Sequence, residues 1–307
     1  MKKLSFLVFT VTAMLACGKN EAIQDDPDTA GHNFTSRAEG DVFRSSILAN
    51  GDDDFRVETI AVDRSGNLGG FYKETTYLYD VASSVASKSN QPIAFKGINA
   101  DRSGNWILVG NYSIPYKLLK YAPDFSSYAD YSSALPEGRH LLAACGYGGS
   151  IAIATTDENA MYSRDYISVS IYTISSRRVL THIVDIPAVY SQLPYSYGRD
   201  QLLKAAGAYV YFCNNDDPIF RINLATAEVD SFIPRFDPLC VTVAADRDYL
   251  YGLDDRWIVE MRFDQAEDYE VGEIPYGVNG DILSASADAG EFYLAGGAHL
   301  YKLHGVR

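Results

Sequence analysis

The residues best suited to chemistry in this chain are aromatic rings set beside carboxylates, amides and guanidinium groups. They cluster at Tyr112, at Tyr195, Tyr197 and Arg199, at Asn214 and Asp217, at Asp255 and Arg256, and at Tyr276. Rings of this kind stack on apolar ligand faces at low entropic cost, and planar forks hydrogen-bond polar edges. The combination suits recognition of a sugar or a peptide. Tyrosine is abundant, 23 of 307 residues, and it is also a favoured strand residue, so a second reading of these rings is that they cap a sheet.

Catalytic signatures are missing from the same sequence. The histidines, His32, His140, His182, His299 and His304, include no two at metal-ligand spacing. His140 follows Arg139 where a repeat unit begins, so it is read either as facing a central channel or as an ordinary loop histidine. No nucleophile elbow, phosphate-binding loop or dinucleotide fingerprint occurs, and no cofactor is expected. Asp216 with Asp217 and Asp254 with Asp255 are adjacent pairs, and neighbouring side chains in a strand point apart. Beyond Cys17, the cysteines Cys145, Cys213 and Cys240 are odd in number and widely spaced in apolar contexts. They read as buried thiols, with a Cys213–Cys240 bridge left open.

These groups must be carried by something, and the sequence repeats itself in a way that says what. Ile60–Asn67 and Ile98–Asn105 are nearly identical, each a short strand running into Asp-Arg-Ser-Gly-Asn. Asp, Gly and Asn supply the backbone geometry of a tight hairpin turn. Weaker copies begin at Leu142, Leu203, Val241 and Leu283, giving anchor spacings of 38, 44, 61, 38 and 42 residues. Each copy continues into an aromatic or β-branched second strand, a polar loop and a third strand. A period near 40 with four short strands per unit is that of propeller blades. The long interval is assigned to extended loops at 155–166 and 189–200, and a seventh, degenerate unit there is the alternative.

The last unit ends at Arg307 one strand short, while 41–48, before the first anchor, holds one strand too many. Pairing the two would close the ring and remove an exposed edge. The fold class is therefore all-β: a propeller, six four-stranded blades or else seven, spanning 41–307 and closed by its N-terminal strand. The blades resemble those of the NHL, TolB-like and YncE-like propellers, a resemblance that implies fold and no particular activity. The Trp-Asp pairs of WD40 proteins and the Asp-box of sialidases are absent.

Within a blade the first-to-second and third-to-fourth turns share one face, and the remaining loops share the other. The Asp-Arg-Ser-Gly-Asn turns fall on the tight-turn face, where Asp63, Asn67, Asp101 and Asn105 read as turn formers and not as calcium ligands, because each turn offers too few carboxylates. The aromatic and charged clusters fall on the loop face.

The first residues address the chain. Lys2 and Lys3 precede an apolar run from Leu4 to Leu15, shorter than a bilayer span. Met14, Leu15, Ala16 and Cys17 resemble the lipobox of bacterial lipoproteins, although Met14 and the bulky Leu15 depart from its usual pattern. The resemblance implies a signal peptide over 1–16 and lipidation at Cys17, with an ordinary signal peptide cut nearby as the alternative. Residues 17–40 are polar and acidic, too poor in apolar surface to order themselves, and read as a flexible tether. Gln24, Asp25 and Asp26 resemble an export signal of surface lipoproteins, and Asp28, Thr29 and Ala30 a glycosylation acceptor in some of them. With Lys2 and Lys3 removed, 24 basic residues face 40 acidic ones, a net charge of −16. Such a field disfavours nucleic acid. The expectation is a non-catalytic envelope module, held to the outer membrane by lipid, that binds a glycan, a peptide or an envelope protein. A scaffold subunit of an envelope complex and a propeller hydrolase or lyase are the alternatives.

Overall fold

The computed structural model describes residues 44–50, 59–62, 68–72, 75–80, 85–89, 95–110, 116–157, 166–190, 203–213, 218–234, 240–243, 250–254, 256–263, 267–274, 282–285, 291–296 and 299–304. Period-2 alternation and β-branched content make almost all of these residues strand or turn, and no α-helix occurs among them.

The opening strand is β1 (Arg44–Asn50). Blade 1 follows with β2 (Thr59–Val62), β3 (Leu68–Tyr72), β4 (Thr75–Asp80) and β5 (Val85–Ser89). Blade 2 contains β6 (Phe95–Ala100), β7 (Trp106–Gly110), β8 (Lys117–Tyr121) and β9 (Tyr128–Asp130). Blade 3 has β10 (Arg139–Tyr147), β11 (Ser150–Asp157), β12 (Tyr166–Ile174) and β13 (Leu180–Tyr190). Blade 4 has β14 (Leu203–Ala206), β15 (Tyr209–Phe212), β16 (Ile219–Asn223) and β17 (Val229–Phe232). Blade 5 has β18 (Cys240–Val243), β19 (Leu250–Asp254), β20 (Trp257–Arg262) and β21 (Glu267–Glu273). Blade 6 has β22 (Ile282–Ala285), β23 (Glu291–Gly296) and β24 (His299–His304).

Among the described residues these strands form six antiparallel sheets of four, each a simple meander. In the sixth, β1 lies outside β24, with Arg44 opposite His304 and Asn50 opposite His299. The N-terminal strand thus completes the last blade, as the chain's missing and surplus strands require. The inner strands β2, β6, β10, β14, β18 and β22 pack in order, and β22 returns to β2. The result is a closed β-propeller.

The long third interval is partly long strand. β11 runs to Asp157 and β13 to Tyr190, so the expected loops are shorter than 155–166 and 189–200. Residues 139–157 and 166–190 form one sheet, and no further unit occurs among the described residues of that interval.

Among the described residues, the seams from blade 1 through blade 6 are apolar layers. Ile107, Val109 and Leu118 of blade 2 meet Leu141, Ile151, Ile153 and Ile174 of blade 3. Val169, Ile171 and Ile186 of blade 3 meet Val210, Phe212 and Ile222 of blade 4. Gly69 allows the first seam to close, because a Cβ there would lie 2.7 Å from the ring of buried Trp106. Cys145 and Cys213 are buried free thiols, so no Cys213–Cys240 bridge forms.

The second copy of the repeated turn shows what its residues do. Asp101 Oδ1 accepts the backbone N–H of Ser103 at 2.8 Å and of Asn105 at 2.9 Å. Its Oδ2 accepts Asn105 Nδ2 at 3.0 Å and Lys120 Nζ at 2.6 Å. Gly104 takes the left-handed conformation that ends the turn, with φ of 77°. Burial opposes ionisation of Asp101, but the bonds from Lys120 and Asn105 hold its carboxyl below the ordinary range. Its oxygens are engaged by the turn itself, in keeping with the structural reading. The first copy's turn, 63–67, lies outside the described residues.

Candidate functional site

Strand direction sorts the faces. β10 begins at Arg139 on the loop face and ends at Tyr147, before the tight turn at Gly148 and Gly149. On the tight-turn face the inner hairpins are tied together. Arg102 Nη2 of blade 2 donates to Gly207 O of blade 4 at 3.0 Å, and Tyr147 Oη of blade 3 donates to Ala208 O at 2.9 Å.

Just inside that face the ring is crossed by a buried polar bridge. The inner edge of each blade presents backbone groups that need partners. Asn99 Nδ2, from β6, donates to Ala144 O of β10 at 2.6 Å and to Leu203 O of β14 at 3.3 Å. Lys204 Nζ, from β14, donates to Asn99 Oδ1 at 2.7 Å. Both side chains are buried. The bridge links three consecutive blades.

Blade 3 carries a second polar array, which runs from Arg139 at the loop end of its inner strand to His182 near the tight-turn end of its outermost strand. Antiparallel register sets Thr155 of β11 beside Ser170 of β12, and Ser170 beside Asp185 of β13. Arg139 of β10 reaches along this row, donating to Thr155 Oγ1 at 3.4 Å and to Ser170 Oγ. Ser170 Oγ in turn donates to Asp185 Oδ1 at 2.5 Å, and His182 Nε2 lies 3.0 Å from the same oxygen. The bond from Ser170, then that from His182, holds the Asp185 carboxyl below its usual range against a smaller opposing effect of burial. Tyr172 packs edge-on against His182, with centroids 5.0 Å apart. Across the seam, Tyr116 Oη of blade 2 is hydrogen-bonded to His140 Nδ1, the rings T-shaped at 4.7 Å. His140 is therefore a buried strand residue and not a loop histidine.

Ser170, Asp185 and His182 are the residue types of a hydrolytic triad, but their order is wrong for one. A triad needs histidine between serine and carboxylate, so that the imidazole can take the hydroxyl proton. Here the carboxylate lies in the middle, and a carboxylate of lowered pKa is a poor base. What the array offers is fixed hydrogen-bonding capacity. Arg139 and Ser170 are held within the blade, while the side chains of Asp185 and His182 are 59% and 47% exposed.

Of the candidate ligand-binding residues read from the sequence, Arg256 is the one described. It lies in the β19–β20 connection on the loop face, as the topology requires. Its Nη2 donates to Ile274 O at 2.8 Å and lies 3.3 Å from Glu273 Oε1, while Ile274 N–H donates back to Arg256 O at 2.7 Å. The guanidinium clasps the end of β21 to its own blade. Tyr112, Tyr195, Tyr197, Arg199, Asn214, Asp217, Asp255, Tyr276 and Cys17 lie outside the described residues.

Sequence reasoning did not single out Ser170, Asp185, Asn99 or Lys204. Two of them left a signal. Lys204 is a lone charge in an apolar strand, and Asn99 replaces the Ala61 of the otherwise matching first repeat. No three His, Cys, Asp or Glu side chains converge as metal ligands among the described residues.

No protein-family model matches the chain, and no curated protein does. Solved structures do. A gluconolactonase from Xanthomonas campestris superposes with a TM-score of 0.57 at 12% identity, covering 86% of this chain and 90% of its own. Regucalcin from Agrobacterium tumefaciens, a calcium-binding protein, gives 0.56 at 13% identity over 88% and 98% of the two chains. A streptogramin B lyase gives 0.53 at 12% identity over 86% and 98%. The shared property is the fold: this chain is a β-propeller. At such identities the propeller scaffold carries over and the chemistry does not.

Proposed function

We propose that this propeller is a non-catalytic binding module of the cell envelope, with its loop face taking a glycan, a peptide or a partner protein. The observation that carries the reading is the position of Asp185 between Ser170 and His182. It turns a set of reactive residue types into a comb of donors and acceptors, with two exposed side chains at its outer end. The Tyr195, Tyr197, Arg199 cluster expected from the sequence would extend the contact surface from Arg139, at the loop end of the same array. In this reading Cys17 carries the lipid, and the domain is held at the outer membrane, facing the periplasm or the cell exterior.

Full-length lipidated protein captured from its own solubilised membranes tests the reading, followed by a thermal-shift screen of oligosaccharides and peptides. A partner or ligand should be lost in Asp185→Asn and in the triple variant Tyr195→Ala, Tyr197→Ala, Arg199→Ala, with the melting curve otherwise unchanged. Undiminished binding in both variants removes this face from the function.

A lyase or lactonase on the same scaffold is the second reading, prompted by the lyase and the gluconolactonase that share the fold. A fluorophosphonate probe separates the two at blade 3. The Ser170 hydroxyl, donating to a carboxylate, should remain unlabelled. Covalent labelling at Ser170 would replace the binding reading with a hydrolytic one.

A further inference from the structure

Blade 2 carries an aromatic row at the tight-turn end of its strands. Ala100, Trp106, Tyr121 and Tyr128 are successive register partners across β6, β7, β8 and β9, so their side chains share one face of the sheet. Burial falls along the row. Trp106 and Tyr121 are buried, while Tyr128, whose ring centroid is 5.1 Å from that of Tyr121, is 53% exposed. Trp106 is fixed at its edge, with Nε1 donating to Pro123 O at 3.0 Å.

Two residues at this row act against stability. Phe125, in the turn between β8 and β9, has a φ of 57°, a conformation that glycine adopts freely and a bulky side chain does not. Arg178 and Ala227 hold the corresponding place in the outer turns of blades 3 and 4, with φ of 62° and 59°, so the turn needs the backbone conformation and not the ring. The Phe125 ring is folded over the row, stacked on Trp106 at 5.9 Å and 8° and tilted on Tyr121 at 5.3 Å. The Tyr121 hydroxyl is buried and has no hydrogen-bond partner among the described residues. Phenylalanine at that position would pack the row equally well without desolvating a hydroxyl. A stack built for stability alone has no use for the hydroxyl, and residues that break local rules at one place point to a site.

We propose that this row is a subsite for the pyranose ring of a neutral glycan, and that Phe125 occupies it in the free protein. The apolar face of the sugar stacks on Tyr128 and on the Trp106 surface that Phe125 covers, and the Tyr121 hydroxyl bonds a sugar hydroxyl. The row holds no charged side chain, which suits a neutral ring. Pro123, Asp124, Ser126 and Ser127, on either side of Phe125, are exposed, so the ring can swing outward without disturbing a strand. The subsite lies on the tight-turn face and does not depend on the array of blade 3.

Trp106 itself reports occupancy, because Trp257→Phe leaves it as the sole tryptophan of the full-length chain. In that background, titration with cellohexaose, xylohexaose, mannohexaose, maltohexaose and chitohexaose should shift the Trp106 emission for at least one of them. Phe125→Gly should tighten that binding several-fold by removing the competing ring. Tyr121→Phe should weaken it several-fold while the melting temperature stays level or rises. Emission unmoved by every sugar in Phe125→Gly protein overturns the proposal, as does an affinity unchanged by Phe125→Gly or by Tyr121→Phe. Binding lost in Asp185→Asn but kept in Tyr121→Phe would put the sugar on blade 3 and overturn the subsite while leaving the binding reading of that blade intact.

Discussion

Lys204 Nζ lies 2.7 Å from Asn99 Oδ1, joining two inner strands that have a third between them in the ring. With the two carbonyls that Asn99 also serves, the pair ties blades 2, 3 and 4 together at their common axis. The bridge is buried, so its loss would remove several hydrogen bonds at once from groups shielded from water, and each such bond counts for more than one on the surface.

Asn99→Ala should therefore destabilise the domain by about 3 kcal/mol, although it restores the residue that the first repeat carries as Ala61. Urea unfolding measures this directly. A midpoint matching the parent's would mean that the bridge contributes nothing to stability.

Asp101 predicts an acid-sensitive contribution to stability. Its folded pKa lies below the ordinary carboxylate range, so its stabilisation is complete above the unfolded value of about 4 and is lost as pH falls through the lower folded value. Asp185 titrates in the same sense through its bonds to Ser170 and His182. Asp101→Asn should lower stability at neutral pH and flatten its decline in acid. An acid limb as steep as the parent's would assign that limb to other carboxylates.

Burial pushes the Cys145 and Cys213 thiols up to about 12, against a smaller opposing effect of the Lys204 charge. Both should resist iodoacetamide at neutral pH in the native state and react once urea unfolds the chain, because the thiolate is the nucleophile. Peptide mass mapping reads the result. Alkylation of either cysteine in native protein, within minutes, would contradict the packing of these strands.

Removing residues 1–50 deletes β1 and leaves β24 as a bare edge. A propeller opened in this way loses its ring closure and exposes an unpaired strand, so soluble yield should fall and aggregates should form. A truncated chain with the parent's melting temperature and monomeric elution would show that β1 contributes nothing to closure.

Much of this architecture is local and was therefore legible in one dimension. Strand periodicity, the turn chemistry of Asp101, Gly104 and Asn105, and the spacing of the anchors all depend on residues a few positions apart. So did the pairing of the spare strand with the last blade, since a sheet edge demands a partner whatever its origin. Even the assignment of Arg256 to the loop face followed from strand order alone.

The candidate site was not legible, and distance is the reason. Asn99 and Lys204 are separated by 105 residues, and no local pattern marks them as a pair. Ser170 and Asp185 meet because the β12–β13 register brings them opposite each other. Register is set by which face of each strand must bury its apolar side chains, and here by the bulges on either side of that pair. Sequence supplied the residue types of a hydrolytic triad without their order. Three-dimensional packing placed the carboxylate between the hydroxyl and the imidazole, so the array holds protons in place instead of passing one to a base.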